Sequence, residues 1–410
     1  MSEKINNRRV VVTGLGVVSS IGIGWQEFWQ NLLAGKSGIS EVDYFDTSKY
    51  DRKYAGQVKN FRPQDFISPH KIKYMGRASQ MALAAARMAV EDAGLKKTDI
   101  VPERSGVCVG TTMGEGQVIE SCVQDDVLKG RTNIERSRSL LYPANSVVFN
   151  IAKEFNIKGP AHIFGNACAA GSFALGRGSD LITTGNVDMM IVGGSDPLSR
   201  IAFTGFHRLI SISEEPVCRP FDQNRSGMIP GEGAGVLILE EKDHAVARGA
   251  TIYAEVLGYG CSADAHHMTQ PDYHGTKSAI SKALRFFDIF PDDIDYISAH
   301  GTATPENDRA ECRAFHEIFG RRIKNIPVSS IKSMLGHTMG AASALESIAC
   351  CLSLHDQKIP PTINYQKPDP ECEIDCVPNV SRSYEVKVVL NNSLAFGGSN
   401  SSLIFKRHKY

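Results

Sequence analysis

The stretch Gly165-Asn-Ala-Cys-Ala-Ala-Gly-Ser-Phe-Ala-Leu175 sets one cysteine at the head of a run of small residues that reads as the start of a tightly packed helix. A buried structural thiol needs no such setting, because any small apolar side chain would fill the space. A nucleophilic thiol gains from it. The first turn of a helix offers unpaired N–H groups and the positive end of the dipole, and both favour thiolate over thiol. On these residues alone Cys168 is either a core residue or a nucleophile, and the rest of the chain has to decide.

The surrounding chain reads as α/β. Short β-branched runs suggest strands at Arg9-Val-Val-Val-Thr13, Gly106–Gly110, Asp188–Val192, Gly235–Leu239, Ile294–Ser298 and Ser402–Phe405. Between them, "ASQMALAAARMAVEDAG" from Ala78 to Gly94 has the alanine-rich interior and glycine stop of a helix. Two passages repeat one pattern of helix, Asp-Ile turn, strand and glycine-threonine loop, one ending at Thr112 and the other running from Lys277 to Thr304. A second echo sets Cys168-Ala-Ala-Gly-Ser-Phe-Ala-Leu against His337-Thr-Met-Gly-Ala-Ala-Ser-Ala-Leu, and predicts that Cys168 and His337 are equivalent across a pseudo-twofold axis. A boundary near "LGYGCSAD" divides the chain into residues 1–255 and 256–410.

Composition limits the function classes. The 410 residues are 42% hydrophobic and 22% charged, ordinary for a soluble globular protein with a large core. Lys+Arg and Asp+Glu both number 45, so no bulk charge draws the chain to nucleic acid or an anionic membrane. No apolar run reaches membrane-span length and the N-terminus lacks a signal-peptide pattern; with ten scattered cysteines this leads us to expect a cytoplasmic protein. Cys372 and Cys376 have the wrong spacing for a zinc pair and no partner pair nearby, so no metal is expected. Cys108, Cys350 and Cys351 read as core. Gly14-Leu-Gly16 lacks the third glycine and the distant acid of a dinucleotide loop, and reads as a tight turn.

Two more segments hold polar residues that packing does not demand. "DYISAHGTATPEND" places His300 where a strand gives way to a glycine loop, and "SSIKSMLGHTMGAASALES" groups Lys332, His337 and Glu346 around a helix start. "NNSLAFGGSNSSLIF" supplies a Phe396-Gly-Gly turn before the last strand. Each histidine alone could be structural. A cysteine with two histidines at such junctions suits acyl-thioester chemistry, with covalent capture by sulfur and two N–H donors for a developing oxyanion.

These segments, together with "RRVVVTGLGVVSSIG", "CRPFDQNRSGMIPGEGAGVLILEE" and "FGGSN", resemble the β-ketoacyl-(acyl carrier protein) synthases of the chain-elongating type II group, along nearly the whole chain. The resemblance implies a thiolase-like fold, with duplicated βαβαβαββ halves in a layered α-β-α-β-α sandwich. It implies decarboxylative condensation of malonyl-carrier protein with a cysteine-bound acyl chain. Cys168 stands at the family nucleophile, His300 and His337 at the two histidines, and Lys332 with Glu346 at an ion pair that organises them. Phe396 matches the gating phenylalanine, whose N–H with that of Cys168 would form an oxyanion hole. Thr302 and Thr304 match the threonines that bind the phosphopantetheine arm, which arrives on the carrier protein, so no resident cofactor is expected. The implied partners are acyl carrier protein, met by Lys71, Lys73, Arg77 and more weakly Arg208, and a second subunit, identical or related, in a dimer.

Departures bear on specificity. The family's Phe-Gly before the gate is Leu394-Ala395 here, and Met228 and Ile229 replace an aromatic and a valine. They leave a fatty-acid and a specialised polyketide or polyene synthase both open. A degradative thiolase would carry a second active cysteine where Phe396-Gly-Gly stands. A non-catalytic chain-length factor would lack the nucleophile.

Overall fold

The computed structural model describes residues 8–130, 136–286 and 288–408. Ten strands run along one hydrogen-bonded ladder: β1 Val10–Ser19, β2 Ser105–Gly110, β3 Ala161–Phe164, β4 Met189–Asp196, β5 Gly233–Glu241, β6 Ala254–Ala263, β7 Tyr296–Ser298, β8 Val328–Ser329, β9 Val388–Leu394 and β10 Ser399–Lys406. A two-residue strand, Gly22–Ile23, folds back on β1. The spatial order is β8-β7-β9-β10-β6-β1-β5-β4-β2-β3.

That order is a palindrome of one motif. Outward from the middle, β1-β5-β4-β2-β3 matches β6-β10-β9-β7-β8 strand for strand. Each set has two antiparallel pairings followed by two parallel ones. The join between β1 and β6 is confined to Val10–Val12 against Ala254–Val256. Beyond it, helices α2 (Ala170–Thr183) and α5 (Ala342–Asp356) lie between the two sheets and touch strands of both. Helix α1 (Arg77–Asp92) covers one outer face, and α3 (Tyr273–Phe286) with α4 (Pro305–Phe319) the other. The outcome is the expected five layers. Sheets covered on both faces explain the unbroken apolar burial of β2, β4 and most of β5, which read as continuous rather than alternating runs.

Two expectations need correcting. Gly14 and Gly16 are not a turn; they lie inside β1. A Cβ on Gly14 would meet the Ala89 carbonyl oxygen at 2.1 Å, and one on Gly16 the Ala85 oxygen at 1.9 Å. Their role is the close approach of α1 to the strand, which the alanines of α1 make possible from the other side.

The second correction concerns the repeat. Cys168 sits in a one-turn 3-10 segment, Ala167–Ala169, that leads into α2, and the matching segment before α5 is Met339–Ala341. Ala167 and Met339 share the unusual left-handed conformation, at φ 46° and 51°. In that register the equivalent of Cys168 is Gly340, and His337 lies three residues earlier. Small residues tolerate a shifted alignment, which is why the sequence echo misplaced it. The two central helices meet at Gly171, where a Cβ would fall 2.8 Å from Ser343 Oγ, and the Ser172 N–H donates to that oxygen at 2.8 Å.

Candidate active site

The catalytic candidates come from the ends of strands where the chain turns into loops, the usual place for function in α/β sheets. Cys168 follows β3, His300 follows β7, His337 follows β8, and Phe396 lies in the hairpin between β9 and β10. One cavity of about 290 Å³ is lined by Cys168, His300, His337, Thr302, Thr304, Leu394, Ala395 and Phe396 together. Lys332 and Glu346 lie buried behind it and form an ion pair.

The imidazoles of His300 and His337 stand edge to face, with ring centroids 5.4 Å apart. Lys332 Nζ lies 3.4 Å from His300 Nδ1. An ammonium can only donate, so it fixes that nitrogen as acceptor and leaves the proton on Nε2. His337 Nδ1 is buried without a partner among the described residues. Burial, reinforced by the Lys332 charge, holds both histidines well below their ordinary range, so both rings are neutral.

The resting nucleophile differs from the expectation. Burial pushes the Cys168 thiol up to about 12, against the pull of Lys332 and a hydrogen bond from the Phe396 backbone N–H. Desolvation outweighs the cation and that hydrogen bond. Cys168 therefore rests as a thiol, and a nucleophilic role would require its ionisation to accompany attack, with the neutral imidazoles that line the same cavity as candidate acceptors.

Two carboxylates not singled out from the sequence hold the frame. Asp196, the last residue of β4, accepts from Thr111 Oγ1 at 2.7 Å, from the N–H groups of Thr112 and Met113 at 2.7 and 3.0 Å, and from Gly340 N–H at 2.6 Å. It ties the first half to the loop after His337. Glu311 on α4 takes His300 N–H at 2.7 Å, Gly301 N–H at 2.8 Å and Asn392 Nδ2 at 2.7 Å, so it bridges the His300 loop and β9. An acid closing an apolar strand, and the final Glu of "AHGTATPENDRAE", were the available signals.

Burial raises Glu311 from its ordinary 4.5 to about 7 against those three donors. A raised carboxyl stabilises the fold below its unfolded pKa, and that contribution is lost as pH climbs from about 4.5 through about 7. Glu311→Gln removes one acceptor oxygen and leaves a buried N–H unpaired, at a cost of about 1–3 kcal/mol. We expect a lower Tm, weaker turnover and no change of Tm attributable to this group between pH 4.5 and 7. Thermal melting across that range checks it; a variant melting with the wild-type pH dependence would show that Glu311 is not the group titrating.

The basic residues divide. Arg77 forms a two-pronged pair with Glu232 and also donates to the Val58 carbonyl. Lys71 joins Arg87 and Lys97 around the buried Glu154. Lys73 and Arg208 are exposed. Cys372 and Cys376 are packed in the core, and no cluster of three or more metal-ligating side chains occurs among the described residues. No helix among the described residues is long and apolar enough to cross a membrane.

Residues 7–245 match the family model of the beta-ketoacyl synthase N-terminal domain, and residues 253–366 match that of its C-terminal domain. The chain belongs to the β-ketoacyl synthase family. Its activity is that of a condensing acyltransferase. A 3-oxoacyl-[acyl-carrier-protein] synthase 2 of Synechocystis sp. is 39% identical, covering 99% of this chain and 99% of the relative. Among solved structures, the ishigamide ketosynthase/chain length factor is 42% identical with a TM-score of 0.95, over 98% of this chain and 100% of that one. A type II polyketide ketosynthase, AntDE, in complex with the acyl-carrier protein AntF, is 36% identical with a TM-score of 0.90, over the same shares.

Proposed function

We propose that this β-ketoacyl synthase is the catalytic subunit of a polyketide or polyene system, adding two carbons per cycle to a chain delivered by acyl carrier protein. Cys168 attacks the acyl thioester; the carbon–sulfur bond to the phosphopantetheine arm breaks, and the proton lost by Cys168 passes by way of an imidazole to the departing thiol. Malonyl-carrier protein then loses CO2, and the enolate oxygen is held by the His300 and His337 rings. The enolate carbon attacks the Cys168 thioester, whose oxyanion is met by the N–H groups of Phe396 and Cys168. The sulfur leaves and regains a proton from solvent, which frees 3-oxoacyl-carrier protein. Lys332 and Glu346 position the histidines, and Thr302 and Thr304, bonded to each other at 2.8 Å, receive the arm.

The observation that carries the pathway assignment is Leu394-Ala395 beside the gate. Leu394 is buried at the end of β9, and Ala395 begins a tight turn in which the Gly398 N–H donates to the Ala395 carbonyl at 3.0 Å, with Gly397 and Gly398 at φ 83° and 76°. A β-carbon at 395 restricts the hinge, and a branched side chain at 394 reshapes the wall. The higher identity to the ishigamide ketosynthase/chain length factor supports the same reading. Fatty-acid elongation is the second reading, favoured by the full-length likeness to the Synechocystis enzyme. Cys168 and both histidines argue against a non-catalytic chain-length factor.

The test compares kcat/KM for saturated acyl-carrier protein with that for polyketide or polyene intermediates. Leu394→Phe with Ala395→Gly should shift the ratio toward saturated chains. A wild type that prefers saturated chains, with a ratio unmoved in the double variant, returns the enzyme to fatty-acid synthesis. We further propose two domains, 1–255 and 256–410, assembly as a dimer with an identical or related subunit, a cytoplasmic location, and Lys73 with Arg208 as carrier contacts.

A further inference from the structure

Helix Arg200–Arg208 ends in a hydrogen-bonded cap that has a strict geometry. Ser211 N–H donates to the Phe206 carbonyl at 3.0 Å and Ile210 N–H to the His207 carbonyl at 3.1 Å. This pair of bonds places the intervening residue in the left-handed conformation, where glycine is usual because it has no Cβ. Here the residue is Ile210, at φ 57°. A β-branched side chain in that region is a true outlier, and such strain persists where the surroundings or the function hold it.

The cap bonds hold the backbone, but they do not call for this side chain, which gains little packing in return, since Ile210 is 70% exposed. It also lines the cavity that ends at Cys168, together with Leu209, 53% exposed, and Met268, 68% exposed. Phe206, one turn back on the same helix, packs its ring 5.7 Å from that of Phe396. Deeper in, the cavity wall is polar at Thr302 and Thr304. Three long apolar side chains therefore form a collar at the opening of an otherwise mixed pocket, and one of them is kept there at conformational expense.

We infer that Ile210 is a docking residue: its strained backbone holds an apolar contact against the body of the acyl carrier protein. This rests on the carrier-protein reading above. When the arm reaches Cys168, the protein bearing that arm is what covers the opening. A free thioester of the same acyl group passes the collar without a body to press on it.

The experiment measures self-acylation of Cys168 from acyl-carrier protein and from the matching acyl-pantetheine, in wild type, Ile210→Gly and Ile210→Asn. Glycine and asparagine both tolerate φ above zero, so Tm should rise in Ile210→Gly and hold or rise in Ile210→Asn. KM for acyl-carrier protein should increase about tenfold in both variants, as for loss of one good interface contact. Its kcat should stay within about twofold, and acyl-pantetheine should be much less affected. An unchanged KM for acyl-carrier protein would overturn the inference, as would an equal loss with acyl-pantetheine, which would make Ile210 a contact of the arm. A Tm that falls in both variants would overturn the strain. A wild type that accepts acyl-pantetheine but not acyl-carrier protein would instead sink the carrier-protein reading itself.

Discussion

Cys168→Ala should abolish self-acylation and condensation together, a loss on the order of 10⁴-fold or more, as for removal of a covalent nucleophile. The substitution deletes one sulfur at a buried site bordered by Ala167, Ala169 and Ala170, so the void is small and the fold should survive with a modest fall in Tm. Mass spectrometry after incubation with acyl-carrier protein should locate the acyl group on Cys168 alone. Of the other cysteines only Cys122 and Cys261 are partly exposed, so they are the positions to watch. An acyl adduct on either, with Cys168 unmodified, would refute the assignment. Because burial holds the resting thiol near 12, alkylation by a general thiol reagent should be slow at Cys168 compared with transfer from a bound thioester.

His300→Ala or His337→Ala should cut malonyl decarboxylation by on the order of 10²-fold or more, as for loss of an oxyanion donor, and self-acylation by less. The two half-reactions are separable by following CO2 release and Cys168 acylation independently. Equal losses in both would mean that the histidines chiefly serve the sulfur. The pH dependence is a second readout. Both pKa values lie well below 6.5, so the neutral rings persist as pH falls through the range where a solvent-exposed histidine would protonate. Decarboxylation should show no inflection near 6.5, and one appearing there would place an imidazole in solvent.

The candidate constellation, which the fold gathers around one cavity, was legible because its residue types are rare and sit at strand-to-loop junctions. Cys168, His300 and His337 each stood out against small or glycine-rich neighbours, and strand-like runs located most of the sheet. What escaped depends on contacts far apart in the chain. Gly14 and Gly16 have turn composition, but their meaning comes from α1, some seventy residues away. The ion pair of Arg77 was invisible because its partner, Glu232, lies 155 positions on. Asp196 and Glu311 act through backbone N–H groups, which leave no mark in the sequence. The protonation of Cys168 turned on desolvation, a property of the finished fold.

The pairing of Cys168 with Gly340 across the two halves bears on stoichiometry. A side chain at Gly340 has nowhere to go: a Cβ there would fall 2.6 Å from Asp196 Oδ2 and 2.7 Å from the Thr111 backbone. The first half thus occupies, with its own carboxylate and strand end, the place where the second half would have to grow a thiol. The likeness of the two halves therefore stops at the sulfur, and with Cys168 as the proposed nucleophile each polypeptide would carry one growing chain at a time.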